Sequence, residues 1–337
     1  MALFSERKRQ KSIQYFQIRS DSKLAKIMIR WNIVVTTFLV LTGTALFSVV
    51  EAGSISNIVV FGDSLSDVGN AHDLTFGLFP PSPPYYQGRF SNGPVWVESL
   101  ADDLNIPRPT PSRDSGTNFA FGGAETGTGI SSMFTPNLGT QVSSYLSSNT
   151  PSDDSLFILW GGGNDMTRSP EVPVGEIIDN IAERVTTLAT AGVESLLVPN
   201  LPPLGSAPRF LGTSQEPVIN DRVIEFNALL TTRLDSLANT FGVEIYQLDV
   251  YSTMQTYIDN PAAFGLSNVT DPALNTGNGQ VVPNPSEYLF WDDFHPTTVA
   301  HRVLAEEAAR LVPEPSLFIL LLTGLSTLAG ATGSKRA

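Results

Sequence analysis

Cysteine is absent from this chain of 337 residues, and histidine occurs only three times. The absence of cysteine excludes a disulfide framework, a thiolate metal site and a cysteine nucleophile. Any histidine-dependent chemistry must use His72, His295 or His301. Basic residues are also scarce, since 20 Lys and Arg stand against 33 Asp and Glu, for a formal charge of −13. A chain this acidic repels phosphates, so nucleic acid is not an expected partner.

The first 52 residues have the pattern of an export leader. Eight basic residues fall within the first 30 positions, and an apolar run over residues 31–50 follows, ending in small residues at Ala52 and Gly53. This order predicts a secretory signal peptide over residues 1–52, to be removed by a signal peptidase. The apolar run is also long enough to cross a bilayer, so an uncleaved signal anchor is the alternative. Either would carry the rest of the chain out of the cytoplasm.

The last 25 residues form a second distinct segment, residues 313–337. It contains Pro313-Glu314-Pro315, an apolar run over residues 317–331 and the basic pair Lys335-Arg336. This arrangement resembles the bacterial PEP-CTERM sorting signal. The resemblance implies processing by an exosortase-type enzyme, transient membrane contact through the termini, and a final location in the cell envelope, at the cell surface or in the medium. A plain C-terminal membrane anchor is the alternative.

Residues 53–312 alternate apolar runs of strand length with helical patterns, which predicts one domain. The predicted strands are 56–61, 118–121, 156–160, 195–199 and 243–248, and the predicted helices are 94–104, 138–146, 174–191, 217–241 and 297–312. Continuous apolar strands separated by helices indicate an α/β fold with a mostly parallel sheet covered on both faces. Residues 77–93 and 267–286 are rich in Pro, Gly, Ser and Asn, which predicts long surface loops.

Three short motifs in this domain carry the residue types needed for nucleophilic acyl transfer. They are Phe61-Gly62-Asp63-Ser64, Gly162-Gly163-Asn164-Asp165 and Trp291-Asp292-Asp293-Phe294-His295-Pro296. Together they supply a hydroxyl, an amide, and an aspartate three residues before a histidine. Ser64 follows the first predicted strand closely, which would place its hydroxyl at the carboxyl edge of the sheet, where ligands bind in such folds. A serine that only caps the next helix is the structural alternative.

The histidine motif immediately precedes the last predicted helix. An aspartate three residues before His295 can reach the imidazole and hold one tautomer, so Asp292 is the expected orienting acid and Asp293 the second choice. A helix-capping aspartate beside an incidental histidine is the structural alternative. His301 falls on the helix itself and is expected to be structural, and His72 is expected on a loop at the rim or surface.

Donors for an acyl oxyanion follow two other predicted strands. Asn164 comes after the strongest strand through three glycines, and its side-chain N–H can stabilise a developing negative charge. Gly122-Gly123 offers a backbone N–H at the same edge of the sheet. The triple glycine could instead be a flexible turn. No phosphate-binding motif accompanies these glycines.

Four blocks in this order resemble the GDSL lipase/esterase family, also called SGNH hydrolases. The blocks are Phe61-Gly-Asp-Ser64-Leu-Ser-Asp-Val-Gly-Asn70, Asn118-Phe-Ala-Phe-Gly-Gly-Ala124, Gly162-Gly-Asn164-Asp165 and Asp292-Asp-Phe-His295-Pro296-Thr297. The resemblance covers nearly all of residues 53–311. It implies a flavodoxin-like three-layer sandwich that needs no metal and no organic cofactor.

The resemblance also implies roles for individual residues. Ser64 would be the nucleophile, with His295 as base and Asp292 as acid, and the oxyanion hole would combine the Ser64 and Gly123 N–H groups with the Asn164 side chain. Gly122 stays open as an alternative to Gly123. The expected activity is an exported esterase or lipase that cleaves a lipid or short acyl ester through an acyl-enzyme. A carbohydrate acetylesterase acting on exported polysaccharide is the second enzyme hypothesis, and a non-catalytic surface domain is the hypothesis from another class.

Overall fold

The computed structural model describes residues 55–312. The predicted leader and the predicted sorting tail, with the apolar runs they contain, lie outside the described residues. Among the helices of residues 55–312, none combines the length and the apolar character needed to cross a membrane.

Four parallel strands form the central sheet, in the order β1-β2-β3-β4. They are β1 (Asn57–Gly62), β2 (Ser155–Trp160), β3 (Ser195–Pro199) and β4 (Glu244–Leu248). All six residues of β2 are buried, and so are the last five of β1. Strands buried on both faces need continuous apolar sequence, which explains the apolar runs. The predicted α/β class with a parallel central sheet is therefore confirmed.

The predicted strand at 118–121 runs beside β1 but does not form a regular strand. Its backbone bonds to β1 through Phe119 N–H to Val60 O (2.7 Å) and Phe121 N–H to Gly62 O (3.1 Å). The Asn118 side chain accepts the N–H of Ala120 (3.0 Å), a bond within the segment itself. This segment therefore lies on one side of β1, and β2 lies on the other side. Such a switch point opens a crevice at the carboxyl ends of the strands.

Eight α-helices occur in the described part of the chain. They are α1 (Asn70–Leu74), α2 (Trp96–Asp103), α3 (Leu138–Leu146), α4 (Gly163–Arg168), α5 (Val174–Thr190), α6 (Glu216–Phe241), α7 (Val250–Asp259) and α8 (Thr298–Leu311). Helix α2 packs on α8, and α5 packs on α6. The five predicted helices are present within two residues at each end. The three that were missed, α1, α4 and α7, are short and follow strand ends or turns.

The two predicted loops differ in outcome. Residues 77–93 contain only turns and bends, as expected. The prediction that residues 267–286 form a loop throughout is wrong, because they contain β5 (Asn268–Pro272), β6 (Leu274–Asn275) and β7 (Gln280–Val281). Strand β5 pairs with β8 (Tyr288–Phe290), and β6 pairs with β7. Leu274 and Trp291 are buried in one small cluster, and this packing outweighs the turn-rich composition.

Candidate active site

The predicted site residues meet at the carboxyl edge of the sheet. Ser64 lies two residues beyond β1, and Asn164 is the second residue of α4, directly beyond β2. Gly123 follows the segment beside β1. His295 lies between β8 and α8. Side chains that are up to 231 positions apart in the chain are thereby brought into contact.

Ser64, His295 and Asp292 form one hydrogen-bonded chain. The Oγ of Ser64 lies 2.8 Å from Nε2 of His295. The Nδ1 of the same ring lies 2.8 Å from Oδ2 of Asp292. Ser64 is only 5% exposed and Asp292 only 3%. Because the imidazole is held at both nitrogens, its orientation toward the hydroxyl is fixed.

Asp292 is held as a carboxylate by donors on both oxygens. Its Oδ1 accepts the backbone N–H groups of Phe294 (2.8 Å) and His295 (2.6 Å). Its Oδ2 also accepts the hydroxyl of Tyr85 (2.7 Å). Burial alone would raise the pKa of Asp292, but His295 and these donors outweigh it and hold the pKa well below its ordinary value. Asp293, the second choice for the acid, is paired instead with Arg209 at 2.7 Å.

The other two histidines lie away from the Ser64 hydroxyl. The prediction that His72 lies on a loop is wrong, because it is the third residue of α1; its half-buried ring contacts the carbonyl oxygen of Pro80 through Nδ1 at 2.8 Å. His301 is fully buried on α8, where its Nδ1 accepts the backbone N–H of Trp96 (3.3 Å). Burial, with a further contribution from His295, lowers the pKa of His301 to about 3, so this ring is neutral in the folded protein.

The two glycines of the second block are not equivalent. The N–H of Gly122 is donated to Oδ2 of Asp67 (2.8 Å) and is already occupied. The N–H groups of Gly123 and Ser64 have no acceptor among residues 55–312. Gly123 has φ +81°, and a Cβ there would lie 2.8 Å from Met133. A larger residue would therefore strain the backbone that presents this N–H.

Asn164 is buried and tied to the same loop. Its Nδ2 donates to the carbonyl oxygen of Ala124 (2.9 Å), which leaves the second amide hydrogen for another acceptor. The neighbouring Asp165 accepts both the N–H and the hydroxyl of Thr126. These bonds fix the loop after Gly123 against the first turn of α4.

Gln141 constrains the turn that carries Ser64. The Gln141 side chain accepts the N–H of Gly62 (2.9 Å) and donates to its carbonyl oxygen (2.8 Å). A Cβ at Gly62 would lie 2.8 Å from the carbonyl oxygen of Trp160, so only glycine fits this close approach. Burial raises the pKa of Asp63 to about 6, and its carboxylate accepts the N–H of Leu65 (3.0 Å).

Three further residues support the site and were not among the predicted site residues. Asp67 lies within the first block, and its place three residues after Ser64 could have indicated a role. Gln141 has no sequence signal, because its contact with Gly62 depends on how α3 packs. Tyr85 lies in a proline-rich loop without periodicity, and nothing in the sequence indicates its contact with Asp292.

A cavity of about 430 Å³, which we call the catalytic pocket, opens beside Asn164, Asp292 and His295. Its lining includes Phe79, Phe90, Met133, Asn164, Arg168 and His295. The pocket therefore joins apolar walls to the amide and imidazole groups, as small-molecule sites commonly do.

A hydroxyl, imidazole and carboxylate aligned at the carboxyl edge of a parallel sheet place the protein in the class of α/β serine hydrolases. The family model for GDSL-like Lipase/Acylhydrolase matches residues 58–308. The chain belongs to this family. Its members are serine ester hydrolases, and the prediction of a serine ester hydrolase is confirmed at this level.

The chain is also similar to individual proteins. The chain is 29% identical to the phosphatidylcholine-sterol acyltransferase of Aeromonas hydrophila, over 84% of this chain and 98% of the relative. It is 30% identical to the thermolabile hemolysin of Vibrio parahaemolyticus, over 76% of this chain and 64% of the relative. A lipolytic G-D-S-L protein of Veillonella parvula is a structural neighbour with a TM-score of 0.44 and 14% identity, covering 76% of this chain and 97% of the neighbour.

Proposed function

We propose that this protein hydrolyses carboxylic esters through an acyl-enzyme formed on Ser64. The observation that carries the proposal is the 2.8 Å contact between Ser64 Oγ and His295 Nε2. The imidazole is within reach to take the hydroxyl proton as the hydroxyl attacks the ester carbonyl. Asp292 holds the tautomer with the proton on Nδ1 and stabilises the imidazolium that forms.

The oxyanion is assigned to three donors: the N–H groups of Ser64 and Gly123 and the side chain of Asn164. Gly123 is preferred over Gly122 because the N–H of Gly122 is donated to Asp67. The imidazolium then protonates the departing alkoxide. Water, deprotonated by the same ring, releases the acid in a second attack. Removing one such donor typically costs about 10²–10³ in rate.

A lipid or another ester with an acyl chain is the proposed substrate class. Four large apolar side chains in the segments 76–79 and 130–134 are exposed: Phe76 (93%), Leu78 (78%), Ile130 (68%) and Phe134 (84%). The two segments that carry them also supply Phe79 and Met133 to the pocket wall. Exposed apolar groups around a pocket mouth are typical of surfaces that meet apolar partners. The acyltransferase name of the Aeromonas relative is compatible with an acyl ester.

Labelling with a serine-directed fluorophosphonate tests the nucleophile. We expect one adduct on Ser64, no adduct in Ser64→Ala, and loss of ester hydrolysis by at least about 10³-fold in that variant. Ser66, in the same peptide, is the internal control and should stay unmodified. Retention of full hydrolysis in Ser64→Ala would refute the assignment of Ser64 as the nucleophile. A non-catalytic surface domain would hydrolyse no ester at all.

The substrate class is tested with nitrophenyl esters of increasing acyl length beside an acetylated sugar. We expect hydrolysis of the nitrophenyl esters. Release of acetate from the sugar alone would favour the carbohydrate acetylesterase hypothesis, which only the sorting-type tail supports.

Export is proposed from the sequence of the termini. We propose a leader at residues 1–52, one hydrolase domain at residues 53–312 and a sorting tail at residues 313–337, with the mature protein at the bacterial envelope or surface or in the medium. Mass spectrometry of both mature termini after expression in a bacterium with an exosortase-type enzyme tests this. Recovery of both intact termini in the cytoplasmic fraction would contradict it.

A further inference from the structure

A second cavity, of about 40 Å³, lies at the same edge of the sheet and has not been given a role. We call it the apolar chamber. Its lining includes Leu65, Trp160, Ala207, Met254, Phe290 and Phe294. Trp160 is the last residue of β2 and Phe290 the last of β8. The chamber therefore sits where ligands bind in folds of this kind.

The lining of the apolar chamber is almost entirely apolar, and its side chains offer no free hydrogen-bonding group. Its lining residues are Leu, Trp, Pro, Ala, Val, Met, Ile and Phe, and the indole N–H of Trp160 is already donated to Asn200 O at 3.1 Å. An apolar cavity of this kind disfavours water, because each water needs two or more polar partners. Hydrocarbon is the ligand chemistry that fits.

Two chamber residues are direct neighbours of the reacting groups. Leu65 follows Ser64, and Phe294 precedes His295. Phe294 lines both the catalytic pocket and the apolar chamber, and we call this residue the partition. Its chain neighbour His295 lies 2.8 Å from the Ser64 hydroxyl through Nε2.

The partition is held in place from the pocket side. The guanidinium of Arg209 lies 4.9 Å from the centre of the Phe294 ring, and Asp293 anchors that guanidinium. The Phe210 ring meets Phe294 edge-on at 6.1 Å. These contacts fix the ring and with it the size of the chamber.

We infer that the apolar chamber receives the acyl chain of the substrate and that Phe294 and Met254 set the chain length accepted. The inference rests on the proposed ester hydrolysis at Ser64. A volume of about 40 Å³ corresponds to a few water-sized groups, so the chamber as it stands fits a short chain. Each methylene that enters is expected to raise kcat/KM by about fourfold, until the chamber is full.

The chamber is tested with a series of nitrophenyl esters from acetate to dodecanoate. Met254→Ala enlarges the chamber at a residue that is not a neighbour of Ser64 or His295, and we expect its preferred chain to be longer by about two carbons. Phe294→Ala should open the partition and raise the relative rate for the longest chains by tenfold or more. Ala207→Leu, which fills the chamber, should lower kcat/KM for butyrate and longer esters by tenfold or more and leave acetate within about threefold.

Phe264→Ala is the matched control, because this aromatic residue stacks on Tyr257 and does not line the chamber. Its chain-length profile should equal that of the wild type. If Met254→Ala and Ala207→Leu change the rates for all chain lengths equally, the chamber does not hold the acyl chain. If Ala207→Leu fails to fold, Met254→Ala decides alone. Failure of the wild type to hydrolyse any of the esters would instead refute the proposed function.

Discussion

The hydroxyl of Tyr85 and the ring of His295 share one oxygen of Asp292. Tyr85 donates to Oδ2 at 2.7 Å, and His295 Nδ1 lies 2.8 Å from the same atom. Burial and the adjacent carboxylate raise the pKa of Tyr85 far above its ordinary value, so the hydroxyl keeps its proton through the alkaline range. Through Tyr85, the loop of residues 77–93 contacts Asp292, which also bonds His295.

Replacing Tyr85 by phenylalanine removes this donor and leaves the ring in place. We expect kcat to fall by about tenfold or more with KM almost unchanged, because a hydrogen bond to a charged group contributes roughly 1.5–3 kcal/mol and about 1.4 kcal/mol is a factor of ten in rate. Steady-state kinetics on a soluble nitrophenyl ester gives the measurement. Tyr86→Phe is the neighbouring control and should behave as the wild type. A selective rise in KM would mean that Tyr85 contacts substrate instead.

Asp67 anchors the loop that contains Gly122 and Gly123. Its carboxylate accepts four backbone N–H groups, those of Gly69, Asn70, Ala71 and Gly122, at 2.7–3.1 Å. Burial, which these N–H donors oppose, raises the pKa of Asp67 to about 6, so the group is ionised at pH 7.

Asp67→Asn would place an amide NH2 against one pair of these donors. We expect a loss of roughly 1–3 kcal/mol in the free energy of unfolding and a fall in kcat of about tenfold or more, as the N–H of Gly123 moves out of position. Urea unfolding and ester kinetics at pH 7.5 provide the two readouts. The exposed Asp73→Asn serves as control. Unchanged kcat in a folded Asp67→Asn protein would show that the loop does not need this anchor.

Much of the fold could be predicted because burial leaves a clear pattern. Strands β1 and β2 are buried on both faces, so their apolar runs stood out in the sequence. The segment at 118–121 was predicted as a strand, but its bridge to β1 at Val60 and Asn118 is isolated, and its short apolar run does not reveal this. The strands within 267–286 depend on packing against Trp291, which no local pattern contains.

The active-site residues also separate into those that the sequence predicts and those that it does not. Ser64, Asn164 and the Asp292–His295 pair lie in short motifs directly beyond strands or before a helix, so topology brings them together. The preference for Gly123 over Gly122 depends on which N–H the Asp67 carboxylate accepts, and no sequence pattern indicates that contact. Tyr85 reaches Asp292 across 207 positions of sequence from an irregular loop, where no periodicity exists to be read.

Two exposed phenylalanines, close in sequence to the pocket residues Phe79 and Met133, have left-handed backbones. Phe76 has φ 55° and Phe134 has φ 61°, a region that bulky residues rarely adopt. Strain of this kind is typical of functional loops. Both side chains are more than 80% exposed, so burial does not compensate for it.

We expect the double variant Phe76→Ser/Phe134→Ser to lose activity on an emulsified long-chain ester by about tenfold or more. The reason is that burying one such side chain in an apolar phase contributes roughly 1.5–3 kcal/mol. Hydrolysis of soluble nitrophenyl butyrate should stay within about twofold. Phe241→Ser is the control, because Phe241 ends α6 just before β4, at the opposite edge of the sheet. Equal losses on soluble and emulsified esters would contradict a role at a lipid surface.

His301 should make the stability of the fold depend on pH. Burial lowers its pKa to about 3, from an ordinary value of 6.5. Between these two pH values the unfolded chain binds a proton that the folded chain does not. The contribution of the neutral ring to the free energy of unfolding is therefore complete above pH 6.5 and is lost as the pH falls toward 3. Asp63 and Asp67, whose pKa values are raised to about 6, act in the opposite direction, because the folded protein protonates first.

Comparison with His301→Gln isolates the histidine from these carboxylates. The glutamine oxygen can accept the N–H of Trp96 in place of Nδ1 and has no proton to gain. Over the pH range from 6.5 to 3, the wild type should lose up to about 1.4 kcal/mol per pH unit relative to the variant. Urea unfolding of both proteins at pH 7.5 and pH 4.5 measures this difference. If the gap between the two free energies of unfolding is the same at both pH values, the buried ring does not titrate as described, and the acid sensitivity of the fold must come from other groups.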